Sequence, residues 1–247
     1  MKKSFLVLFS LLLVLVSCKT EIKKYSNGKE VLEAMNKKYA GKWYKNFTFS
    51  QGVEQFKNDS LVNKEIWHEA YKAPSKLIIK FRSYTSGNGY IFEGDSLHIF
   101  AHHTLAASRS HVNFLLTLGF DVYNQPLETT YNTLGKVNFD LEKVTTAVFN
   151  GKDIYVVGIN DIQEKSNHFY VDAEKLVFLK AVTFTAHNKR EVEFKNYKTV
   201  DGNYVATEVD FYTNGSLEMT EKYYNMNFPE EIPDSLFDKT KFIEARW

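Results

Sequence analysis

The 247-residue chain has one cysteine, four prolines and almost no net charge. The single cysteine, Cys18, excludes an internal disulfide, so packing alone has to hold the folded part together. The formal charge is +1, and it becomes −1 without residues 1–17, which remove two lysines and leave 29 basic against 30 acidic residues. No lysine-rich or arginine-rich block follows, so nucleic acid is not an expected partner. What the chain has in abundance is aromatic residues, 20 Phe and 15 Tyr, which favour β-strands.

Long apolar runs are also scarce, and the one that exists lies at the N-terminus. It covers Phe5–Val16, is interrupted by Ser10, and follows Lys2 and Lys3. The pattern indicates a secretory signal over residues 1–17. It has a basic start, an apolar run too short to span a bilayer, and a small residue before the expected cleavage point.

The end of this signal, Leu15-Val16-Ser17-Cys18, resembles the lipobox of bacterial lipoproteins. The resemblance implies cleavage between Ser17 and Cys18, a diacylglycerol on the Cys18 thiol and an acyl chain such as palmitate on the freed amine. Two or more chains are needed for a stable anchor, because a single chain binds a membrane only marginally. Residues 18–24 then form a lipidated tether, and the membrane is the expected partner. An ordinary cleaved signal and an uncleaved anchor are the alternatives.

A first helix is predicted after the tether. Asn27 is a suitable N-cap with Glu30 three residues on, which is a capping-box arrangement, and Gly41 is a suitable stop. The apolar residues of one helical face predict a core-packing face, although a lid over a cavity would have the same pattern: Val31, Leu32, Met35 and Tyr39.

From Phe47 onward, apolar and polar side chains alternate with the period of a strand. Five strands in a row, joined by short polar turns such as Glu93-Gly94-Asp95-Ser96, predict an antiparallel meander. Their apolar positions fall within Phe47–Val53, Ile66–Tyr71, Leu77–Phe81, Tyr90–Phe92 and Leu97–Phe100.

The middle of the chain changes to helical spacing. His111–Leu118 predicts one short helix, and Pro126 opens a second that ends near Gly135. Two such pieces would cover one face of a sheet or plug its edge. The remainder is again strands, about a dozen in all, with hairpin turns predicted at Asn150-Gly151, Asp201-Gly202 and Asn214-Gly215.

No motif in the chain points to catalysis. The four histidines within fourteen residues lack the spacing of a metal site, so neither a metal nor a cofactor is expected: His98, His102, His103 and His111. No nucleophile elbow, phosphate-binding loop or dinucleotide fingerprint occurs. The sequence therefore disfavours an enzyme.

The order of elements, together with four stretches, resembles the LolA/LolB/LppX-like outer-membrane lipoprotein-sorting superfamily, and more closely a poorly characterised group of lipoproteins from Bacteroidota. These stretches are Leu118–Tyr123, Phe169–Phe178, Glu208–Gly215 and Pro233–Asp238. The resemblance implies an α+β fold over residues 25–247: a large curved antiparallel sheet, or unclosed β-barrel, with an N-terminal helix and a helical cover over an apolar face that holds acyl chains.

The expected function follows from the anchor and this fold. We predict a monomeric, lipid-anchored outer-membrane protein of the cell envelope, on its periplasmic or its surface face, that binds a lipid or lipoprotein acyl chain and takes part in lipid or lipoprotein handling. Five apolar residues of the cover are predicted to face the cavity, although plain core packing would suit them too: Leu115, Leu116, Phe120, Leu127 and Tyr131. The alternative is an interaction module whose barrel is filled by aromatic side chains and binds a protein or glycan outside.

Overall fold

The computed structural model describes residues 22–247. The predicted signal, the cleavage point at Ser17 and Cys18, and the first part of the tether lie outside this range. Within the range, no helix has both the length and the apolar character needed to cross a membrane.

The described residues form three α-helices, fifteen strands and three short 3-10 helices. The α-helices are α1 Gly28–Tyr39, α2 Phe114–Gly119 and α3 Leu127–Lys136. Strands of the first half are β1 Asn46–Lys57, β2 Ser60–Lys72, β3 Lys76–Phe81, β4 Gly89–Glu93, β5 Ser96–Ala101 and β6 Thr104–Ser110. Strands of the second half are β7 Val144–Phe149, β8 Lys152–Val157, β9 His168–Asp172, β10 Phe178–Phe184, β11 Lys189–Lys195, β12 Lys198–Val200, β13 Asn203–Val205, β14 Glu208–Thr213 and β15 Ser216–Asn227. The 3-10 helices are Asp121–Tyr123, Asp234–Phe237 and Lys239–Lys241.

Thirteen strands make one antiparallel sheet in the order β6-β5-β4-β3-β2-β1-β15-β14-β11-β10-β9-β8-β7. The sheet is curved, and in the described chain it does not close, so β6 and β7 are its edges. The first and last long strands, β1 and β15, pair at its centre. Strands β12 and β13 form a separate ribbon. The predicted α+β class and the unclosed antiparallel sheet are confirmed.

Helix α1 packs on the inner face of this sheet. The Asn27 side chain accepts a hydrogen bond of 3.0 Å from the backbone N–H of Glu30, as the N-cap prediction requires. The Glu30 carboxylate accepts a second one, of 2.8 Å, from the N–H of Ser26. Val31, Leu32 and Met35 on the apolar face are fully buried in the main core, and Tyr39 is partly buried against it, so the core-packing interpretation is correct.

The C-terminal segment covers part of the outer face. After the turn predicted at Pro233, Leu236 and Phe237 are buried against β2–β5. The ring of Phe242 stacks on that of Phe100, with centroids 3.9 Å apart. Strand β3 is consequently buried on both faces, which its apolar run permits.

Three details of the predicted secondary structure were wrong. Strand β6 was missed, because its exposed residues show no apolar alternation. Helix α2 starts at Phe114 rather than His111, since Asn113 caps it by accepting from the N–H of Leu116. The Asp201-Gly202 turn was predicted to join strands over Val192–Tyr197 and Val205–Phe211, but it joins the short strands β12 and β13 of the separate ribbon.

Candidate functional site

An apolar pocket lies between the curved sheet and the segment around α2. Its volume is about 300 Å³, at the lower end of the roughly 300–1,000 Å³ that ligand pockets span. Strands from both halves of the sheet form its wall, and aromatic side chains dominate it. The lining residues are Phe49, Trp67, Glu69, Tyr71, Leu77, Ile79, Tyr90, Phe92, His111, Asn113, Leu115, Leu116, Phe120, Phe194, Val209, Phe211, Met219, Glu221 and Tyr223.

The cover contributes three of the five residues that the sequence suggested for a cavity. Leu115, Leu116 and Phe120 line the pocket. Leu127 and Tyr131 do not, and their placement in the cavity was wrong. Both lie on α3, which packs on α1 and α2 rather than over the pocket. The Tyr131 hydroxyl donates to Glu33 on α1 at 3.2 Å, so this ring serves the contact between two helices.

Beside the pocket, aromatic rings fill the space between the sheet and α1. Trp43 stacks on Tyr123 with centroids 3.9 Å apart, and Tyr44 packs on Phe47 and Phe228 at 5.1 and 5.2 Å. Tyr44 also contacts the pocket residues Tyr71 and Phe120 across their edges. The inside of the sheet is therefore solid at one end and hollow at the other.

A buried carboxyl fixes the cover to the pocket wall. Asp121, directly after α2, accepts hydrogen bonds from the Tyr71 hydroxyl at 2.7 Å, the Ser75 N–H at 3.0 Å and the Ser75 hydroxyl at 3.1 Å. Burial raises the pKa of Asp121 to about 6, and the three donors oppose that rise. Because Tyr71 itself lines the pocket, these bonds set the distance between wall and cover.

Two more carboxyls lie inside the pocket. Glu69 on β2 is 5% exposed and Glu221 on β15 is 8% exposed. Burial, reinforced by the charge of Glu221, raises the pKa of Glu69 well above its usual range. Burial also raises the pKa of Glu221 to about 8. In an apolar surrounding the charged forms are costly, so this pair retains protons near neutral pH.

A buried amide lies between the strands that carry these carboxyls. Gln51 is fully buried on β1, where its neighbours across the sheet are Trp67 and Tyr223. It approaches Glu221 closely enough to oppose the rise of that pKa, but without hydrogen-bond geometry. Among the described residues, neither its amide nitrogen nor its amide oxygen has a hydrogen-bond partner. Such a group is rare in a folded interior.

The histidines do not converge. His98 pairs with the hydroxyl of Ser108 on the neighbouring strand at 2.8 Å. His102 and His103 form the turn between β5 and β6 with positive φ angles. His111 is one of the residues that line the pocket. Over residues 22–247, no group of three or more potential metal ligands comes together.

Sequence reasoning missed the polar part of the pocket. Glu69 lies between Trp67 and Tyr71 on the inward register of β2, so a carboxyl on an apolar face was visible in the alternation. Glu221 lies in the same way between Met219 and Tyr223 on β15, but its closeness to Glu69 depends on the pairing of both strands with β1, which a single sequence does not show.

Three crystal structures share this architecture over nearly their whole length. A DUF1329 family protein from Desulfovibrio piger has a TM-score of 0.57 at 10% identity, over 86% of this chain and 96% of that one. A LolA superfamily protein from Nitrosomonas europaea has a TM-score of 0.56 at 13% identity, over 87% and 99%. A domain named for outer membrane lipoprotein sorting from Vibrio parahaemolyticus has a TM-score of 0.57 at 14% identity, over 87% and 98%.

No protein-family model matches the sequence, and no curated protein matches it either. The architecture defines a class of half-open antiparallel barrels with a helical cover. Within that class this chain has the LolA-like fold, as the sequence resemblance implied. The closer likeness to lipoproteins from Bacteroidota stays a prediction.

Proposed function

We propose that this protein is a lipid-anchored, non-enzymatic protein of the cell envelope that binds the apolar chain of a lipid or lipoprotein in the pocket under α2. The observation that carries the proposal is a ready-made hollow of about 300 Å³ with an aromatic wall inside an otherwise close-packed core. Protein interiors are normally filled, so an apolar hollow of this size is suited to a ligand.

The wall supplies the energy that such binding needs. Phe49, Phe92 and Phe211 offer apolar surface from three different strands, and Leu115 closes the pocket from the cover. Each methylene removed from water contributes about 0.8 kcal/mol, so even a short chain gains several kcal/mol. The volume suits one chain, or the end of one, better than the several chains of a complete lipoprotein anchor.

The named neighbours support the same function. One is a LolA superfamily protein and another is named for outer membrane lipoprotein sorting. An anchor at Cys18 would hold this pocket next to a membrane, which suits a resident receptor of the outer membrane better than a diffusing carrier.

Native mass spectrometry of the purified protein tests this proposal. We expect a co-purifying lipid on the wild type and its loss from Leu115→Trp, because the larger side chain would occupy the pocket. The matched control is Leu105→Trp, at an exposed position on β6, which should keep the lipid. Repeated spectra without any bound lipid would contradict the proposal.

Such empty spectra would favour the second candidate, an interaction module that binds a protein or glycan outside. Its support is the long β1–β2 hairpin, which exposes Leu61, Val62 and Ile66 by 46, 60 and 45%. Polar substitution of these three residues should abolish partner binding if that function is the correct one.

A further inference from the structure

The two carboxyls in the pocket have no positive partner. Among the ion pairs of the described residues, none includes Glu69 or Glu221. Neighbouring acids do have one: Glu65 on β2 pairs with Arg82 at 2.7 Å, and Glu54 on the adjacent strand β1 pairs with Lys64 at 2.6 Å. Among the described residues, these two acids outside the pocket thus have a cationic partner, and the two acids inside it have none.

The unsatisfied amide of Gln51 is an independent sign of a missing polar group. It is fully buried on the sheet face that bounds the pocket, between Trp67 and Tyr223, and it lacks hydrogen-bond partners. A buried amide without partners costs about 1–3 kcal/mol in a protein. Two acidic groups of the lining, with this amide near Glu221, therefore make part of an apolar pocket polar.

The chemistry of a complementary ligand follows from these groups. Carboxylates accept hydrogen bonds and attract cations, and burial of an unpaired carboxylate is costly until a cation arrives. Without a cation the pair keeps its protons, and an arriving ammonium lets a carboxylate form beside it. A ligand carboxylate or phosphate would instead bring a negative charge that no lysine or arginine of the lining offsets. The aromatic rings of Trp67, Tyr90 and Tyr223 in the lining add faces on which a cation is also stabilised.

We propose that the pocket selects amphiphiles with a protonated amine at the end of an apolar chain, and that Glu69 and Glu221 receive the amine. The inference rests on the proposed function for the binding of the chain and adds the chemical class of the head group. The apolar wall takes the chain, the two carboxyls take the ammonium, and Gln51 gives the acidic end a neutral hydrogen-bonding neighbour.

Calorimetric titration of the purified protein with three probes of equal chain length tests this selectivity. The probes are decylammonium chloride, sodium decanoate and decan-1-ol, each below its aggregation limit. We expect decylammonium to bind at least about tenfold more tightly than decanoate, as a charge-assisted hydrogen bond in a dry site predicts. The double variant Glu69→Gln with Glu221→Gln should lose this preference and still bind decan-1-ol. The matched control is Glu54→Gln, whose carboxyl lies outside the pocket, and it should behave like the wild type.

The outcomes separate the inference from the proposed function. Equal affinity for the three probes, tighter binding of decanoate, or a preference that survives the double variant would overturn the amine selectivity and leave the binding of an apolar chain intact. Failure of all three probes to bind would overturn both. The comparison of probes on the wild type needs no variant, so a folding defect cannot mask the result.

Discussion

The hydroxyl of Tyr71 donates a hydrogen bond of 2.7 Å to the buried carboxyl of Asp121. Tyr71 belongs to the pocket wall, and Asp121 follows the helix that closes the pocket. Wall and cover are fifty residues apart in the chain, and this bond joins them at a point where both are shielded from water.

Tyr71→Phe should lower the free energy of unfolding by about 1–3 kcal/mol, because it removes one donor from a buried acceptor without changing the packing of the ring. Urea denaturation measures the effect. Tyr224→Phe is the matched control, since that residue is 38% exposed. Equal stability of the two variants would show that the bond does not hold the cover.

The pocket carboxyls predict a dependence of stability on pH. In the folded state Glu221 has its pKa raised to about 8 by burial, against an ordinary value of 4.5, and burial raises the pKa of Glu69 as well. The folded state thus holds more protons than the unfolded state, and stability falls as the pH rises from about 4.5 to about 8. Denaturation curves across this range should show the fall in the wild type. The double glutamine variant should show a smaller fall, and an unchanged slope would refute the assignment.

Gly89 has a backbone that only glycine adopts without strain. Its φ is +154°, and a Cβ there would lie 2.0 Å from the carbonyl oxygen of Ile79. Gly89→Ala should therefore destabilise the fold by more than about 1 kcal/mol. Gly52→Ala is the control, because it meets nothing within 4 Å and has no positive φ. Thermal unfolding compares them, and equal melting temperatures would contradict the prediction.

The packing of the C-terminal segment on the outer face of the sheet depends on Phe242. This ring is 1% exposed and stacks on Phe100, so Phe242→Ala should cost about 3–5 kcal/mol through the cavity it leaves. Lys241→Ala, at an exposed neighbouring position, should cost little. Chemical denaturation gives both values. If Phe242→Ala lowers the free energy of unfolding by less than about 1 kcal/mol, the packing of the C-terminal segment on the sheet contributes little to stability.

Metabolic labelling tests the predicted lipid anchor at Cys18. Cells grown with labelled palmitate should transfer it to the wild type, and Cys18→Ala should lose both the label and the membrane fraction, since no other cysteine can replace it. Thr20→Ala should keep both. Label that persists on Cys18→Ala would rule out the lipobox interpretation.

Local signals predicted much of the fold and little of the site. Alternation located β1–β5, and the turns predicted at Asn150-Gly151 and Asn214-Gly215 are hairpin turns, one between β7 and β8 and the other between β14 and β15. These features depend on neighbours in the chain. Strand β6 has no apolar pattern, because it is an exposed edge that only pairing with β5 makes a strand.

The pocket depends on distant pairs, which a single sequence does not show. Glu69 and Glu221 lie on β2 and β15, the two strands that flank β1. Leu127 was wrongly predicted to line the pocket, because the packing of α3 on the other helices leaves no signal in the local sequence. The three predicted residues that do line the pocket, Leu115, Leu116 and Phe120, all come from the short stretch around α2.

The gap between β6 and β7 has a mechanical consequence. A barrel whose strands are hydrogen-bonded all the way round has a girth set by its strand number and stagger. Over the described residues no ladder links these two edges, so that constraint is missing here. The width of the space inside the sheet can therefore change through a change in curvature, with every existing strand pair kept.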